Sequence, residues 1–102
     1  MTQIVIGTTP TITYTFKTVS PADLTKAILT IKSMGQIILE KTLADATAGE
    51  DSLSWTLTQQ ETLSIGTRSC KMMLNWLTNT GTRGASAETV IIGVTNHKRE
   101  VI

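Results

Sequence analysis

Thr11-Ile12-Thr13-Tyr14-Thr15-Phe16 alternates hydroxyl and large apolar side chains without a break. A two-residue period places Ile12, Tyr14 and Phe16 on one side of an extended chain and the three threonines on the other. That is a strand with one dry and one wet face, and β-branched residues suit such a pleated, half-buried surface. Roughly one residue in five of the chain is threonine, and the alternation recurs downstream. The pattern points to an all-β protein.

Working outward, Ile4-Val5-Ile6 precedes this strand as a first strand or an apolar arm, and Gly7-Thr8-Thr9-Pro10 bends the chain between them. Residues 1–10 are therefore expected to form an extended N-terminal arm and turn. Ser20-Pro21-Ala22-Asp23 has an N-cap residue followed by proline at the first helical position. Ala27, Leu29 and Ile31 share one face of the next strand. Met34-Gly35-Gln36 turns it into Ile37–Lys41, with Gly35 at the special backbone position. Residues 43–51 are small and polar and read as a loop. Leu53, Trp55 and Leu57 point inward from a further strand. Thr58 and Glu61 form a capping box, so one helical turn closed by Gly66 is expected to cross between sheets. The longest strand runs from Ser69 to Leu77, with Cys70, Met72, Leu74 and Trp76 inward. Asn79-Thr80-Gly81 turns into Ser86–Val94, where Val90, Ile92 and Val94 share a face and Ile91 lies opposite. Residues 96–102 form a polar tail. About seven short strands imply an immunoglobulin-like two-sheet sandwich with one short helical crossover turn, in a single domain over residues 1–102. A small barrel is the alternative architecture.

Composition limits function. The chain has 102 residues, enough for one core. Its formal net charge of +1 offers no footprint for nucleic acid or an anionic membrane. Apolar runs fall far short of the roughly 20 residues that span a bilayer, and residues 1–7 lack the features of a secretory signal. The single cysteine, Cys70, forms no internal disulfide and reads as a small core residue, in keeping with synthesis in a reducing cytoplasm. His97, the only histidine, sits beside Lys98, Arg99 and Glu100 and reads as solvated. Asp45, Glu50 and Asp51 lack the spacing of a calcium loop. Glycoside hydrolysis needs two opposed carboxylates; Glu40 and Glu88 could be set opposite each other, but nothing in the sequence asks for it. No cofactor, no metal site and no catalytic residue is expected.

Apolar residues recur instead on the faces assigned to water: Ile28, Ile38, Met73, Leu77 and Ile91. Both ends are apolar as well, in Ile4-Val5-Ile6 and Val101-Ile102. The expected protein-binding surface therefore comprises Ile4, Val5, Ile6, Met73, Leu77, Ile91, Val101 and Ile102.

Three strings carry a family resemblance: Gly7-Thr8-Thr9-Pro10-Thr11-Ile12, Leu57-Thr58-Gln59-Gln60-Glu61-Thr62-Leu63, and Ala85-Ser86 ahead of the last strand, with a closing Val101-Ile102. In these the chain resembles short proteins encoded among the structural genes of tailed bacteriophages and prophages. It is similar in pattern to the N-terminal domain of phage baseplate upper proteins. The resemblance implies a non-enzymatic virion component of the tail, baseplate or capsid surface, made in the host bacterial cytoplasm. It implies other virion proteins as partners, in a homo-oligomer or symmetric assembly, with no nucleic acid and no membrane. A free-standing adhesion or carbohydrate-binding sandwich module is the alternative, and would need exposed aromatics.

Overall fold

The computed structural model describes residues 2–102 and contains two β-sheets packed face to face. The chain runs β1 (Thr2–Val5), β2 (Thr11–Thr15), β3 (Leu24–Ser33), β4 (Gln36–Thr42), β5 (Thr47–Ala48), β6 (Ser52–Thr56), α1 (Gln59–Ile65), β7 (Ser69–Thr78), β8 (Arg83–Ala85) and β9 (Thr89–Val94). The large sheet has the order β1-β9-β7-β3-β4, with β8 also paired to β7; the small sheet is β2-β6-β5. All pairings are antiparallel except β1 with β9.

The alternation read from the sequence builds the interior. Leu53, Trp55 and Leu57 from β6 and its end meet Leu29, Ile31 and Leu74 from β3 and β7, all fully buried. Each contributes about 1.5–3 kcal/mol by leaving water. The Trp55 indole N–H donates to the Thr42 carbonyl at 3.0 Å, so the largest core residue keeps its polar atom satisfied. Tyr14 packs edge-on to Trp55, and Phe16 edge-on to Trp76.

The capping box forms at α1: Thr58 Oγ1 accepts from the Glu61 N–H and Glu61 Oε1 accepts from the Thr58 N–H. Gly66 closes the helix with φ +67°. Lys41 on β4 pairs with Glu61 at 2.6 Å, tying the crossover to the edge of the large sheet. Pro21–Asp23 is a single 3₁₀ turn with proline first, as read, but the Ser20 side chain does not cap it. The segment read as a loop holds a second 3₁₀ turn, Leu43–Asp45, and the two-residue β5.

Two expectations are corrected. Ile4 and Ile6 do not lie on a free arm: β1 is zipped to β9 in parallel register, Ile6 N–H donates to Val94 O, and both side chains are buried in the chain's own core. Ile91 is fully buried and Val90, Ile92 and Val94 are only half-buried, so the faces of β9 are the reverse of those expected. Gly93 gives the reason. It shares the inward face with Ile91 but presses against the Gly66 carbonyl, where a Cβ would collide. Packing of the α1 corner demands glycine inward, and the valines are left outward.

Candidate protein interface

The two outer faces of the sandwich differ in chemistry. On the small sheet, β2 and β6 set hydroxyls opposite one another: Thr11 bonds Thr56 and Thr13 bonds Ser54, each at 3.0 Å. Each pair shares one hydrogen bond across the strands and leaves one hydroxyl donor facing solvent. On the large sheet, register places Lys71, Lys32 and Ile37 in one row across β7, β3 and β4. The next row is Met73, Thr30 and Glu40; the one beyond is Asn75, Ile28 and Thr42. Glu88 stands just before β9 and pairs with Lys71 at 3.6 Å. A groove of about 610 Å³ runs over Thr30, Lys32, Met34, Lys71 and Met73. A second hollow of about 330 Å³ lies further down the same face, lined by Lys26, Ile28, Trp76, Leu77 and Arg83.

The β3–β4 turn overhangs this face. Ser33 pairs with Gln36 around a two-residue loop in which Met34 has φ +52° and Gly35 φ +80°. This geometry favours Asn-Gly, because both positions need positive φ. Met34 occupies it at 97% exposure, and Ile37 beside it is 58% exposed. Ile28, on the face itself, is 38% exposed. A register shift skips Ile38, which together with Leu39 packs toward the core.

Of the surface residues expected from sequence, Met73 and Leu77 lie half-buried on this outer face. Val5 is 42% exposed at the far edge of the same sheet, opposite Val94. Val101 and Ile102 are exposed elsewhere, on a tail whose last residue exchanges hydrogen bonds with the Gln59 side chain at 2.7 and 2.8 Å. Ile4, Ile6 and Ile91 are core and leave the set. Met34, Ile37 and the charges Lys32, Lys71, Glu40 and Glu88 were missed. The sequence signal for Met34 was its place before Gly35 in a turn where asparagine is preferred.

Chemistry is sparse among the described residues. No group of three or more His, Cys, Asp or Glu side chains is arranged to hold a metal ion. Glu40 and Glu88 are separated by the widths of three strand spacings, roughly 14 Å, beyond the roughly 5–9.5 Å of a glycosidase pair. Burial raises the Cys70 thiol pKa, against a smaller opposing pull from Arg68, so the group stays protonated. Burial likewise raises the Tyr14 phenol, whose hydroxyl lies near Ser86 yet makes no hydrogen bond. No helix is long and apolar enough to cross a membrane. Comparison with protein-family models, with curated proteins and with solved structures found no match for the chain.

Proposed function

We propose that this chain is a non-enzymatic structural component of a tailed-phage particle, of the tail, baseplate or capsid surface, that binds other particle proteins through the outer face of its large sheet. The observation that carries the reading is the asymmetry of the two outer faces. One presents exposed threonine and serine hydroxyls; the other exposes methionine, isoleucine and unpaired charge around two hollows. A mixed apolar and charged sheet face is the chemistry of a protein contact. The resemblance of three of its strings to short phage structural proteins suggests the context.

The strand order supports an immunoglobulin-like lettering. Read as G-F-C-C′, the run β9-β7-β3-β4 matches one sheet of that fold, and β2-β6-β5 read as B-E-D matches the other. β1 departs from the constant-type order by lying beside β9 rather than β2, and α1 fills the E–F corner. The adhesion alternative has less support: Tyr14, Phe16, Trp55 and Trp76 all lie in or against the core, which leaves no aromatic platform for a sugar.

Quantitative mass spectrometry of particles purified from a strain encoding the chain tests the reading. A fixed stoichiometric ratio to the major particle proteins is expected. Absence from purified particles, with the protein present in the lysate, would contradict it.

A further inference from the structure

We propose that the outer face of the large sheet binds the same face of a second copy across a two-fold axis, each copy seating Met34 against the other's Ile28. The inference rests on the reading of this face as an interface and names its occupant.

The register carries it. The basic row, Lys71 and Lys32, lies directly beside the row Met73–Thr30, which is flanked by Glu88 on one side and Glu40 on the other. An axis running across the strands, midway between these rows, turns one copy over and exchanges them. Lysines of one copy then lie on the partner's Met73–Thr30 row, between its two glutamates. The same rotation carries Met34, in the turn between β3 and β4, onto the row of Ile28 and Thr42, where Ile28 forms one wall of the 330 Å³ hollow. One operator thus satisfies both the charges and the overhanging methionine, which is the self-complementarity a two-fold contact requires. Among the described residues neither Lys32 nor Glu40 has an ion-pair partner within the chain, so both are free for this role. An unrelated partner would need no such internal match between adjacent rows.

Two measurements test this. Sedimentation equilibrium from micromolar to millimolar protein is expected to show a reversible dimer. Lys32→Glu is expected to weaken it by about tenfold or more through like-charge contact, and Lys32→Glu/Glu40→Lys to restore it. The second measurement is oxidation of the Ile28→Cys/Met34→Cys variant. Ile28 lies on β3 and Met34 in the turn just past its end, six residues on and about 20 Å away, so the two cannot bridge within one copy. A covalent dimer linked between the two positions is expected, with the buried Cys70 uninvolved. A monomer at all concentrations overturns the inference, as does a dimer indifferent to both sets of substitutions. A monomer that still enters particles overturns this inference alone. A face-to-face dimer that never enters particles upholds it and overturns the virion reading.

Discussion

Met34 breaks two local preferences at once: a bulky side chain at φ +52°, and a methionine almost wholly in water. A left-handed conformation costs an ordinary residue about 1–2 kcal/mol, and nothing within the chain offsets it. Met34→Asn suits the turn and is expected to raise monomer stability by about 0.5–1 kcal/mol, read as a higher midpoint in urea, while weakening self-association. Stability and association moving together would contradict the role given to this residue. Thr62 is the opposite case. Its buried hydroxyl accepts from the Gly7 N–H at 2.9 Å and donates to the Thr8 carbonyl at 2.8 Å, holding the bend after β1 against α1. Thr62→Val keeps the shape and strands both backbone groups, an expected loss of about 1–3 kcal/mol by chemical denaturation. Tyr14→Phe removes a buried hydroxyl without a partner, and its denaturation midpoint is expected to hold or rise.

At the scale of elements, α1 is held to β4 by the Lys41–Glu61 pair. Burial works to raise the Glu61 pKa, but the Lys41 ammonium and the Thr58 N–H outweigh it and hold the carboxyl below its ordinary 4.5. A folded pKa below the unfolded one means stability that is fully present above the unfolded value and lost as pH falls through the folded one. Thermal midpoints are therefore expected to drop as pH falls below the ordinary 4.5 and through the lower folded value, with a shallower drop in Glu61→Gln. Equal slopes for the two proteins would remove this pair from the account. The elements most legible in the sequence were those with local rules: the alternation of β2, β3, β6 and β7, the cap of α1, the glycine turn at Gly35. β1 and β9 were legible as extended apolar runs, but their pairing was not, because it is parallel, joins opposite ends of the chain and leaves no local trace. β9 offers apolar residues on both faces, and only the closeness of Gly93 to the Gly66 carbonyl decides which face turns inward. The interface was legible as stray apolar residues, Met73 and Leu77. Its charge rows depend on β3–β4 and β3–β7 register, with skipped residues at Ile38 and Thr25 that no periodicity foretells.

At the scale of the whole molecule, a two-layer sandwich presents hydroxyls on one outer face and rows of apolar and charged side chains on the other, the face proposed for contact. The large sheet is the layer that carries it, since five strands in register give a surface broad enough for rows of opposite charge to lie side by side. The most direct measurement is lysine acylation, read by mass spectrometry, of dilute and of self-associated protein. Lys26, Lys32 and Lys71 on the outer face are expected to lose reactivity on association, while Lys17 and Lys98, placed away from it, keep theirs. Undiminished reactivity at Lys32 and Lys71 in the associated protein would contradict the claim that this face is the one the molecule uses.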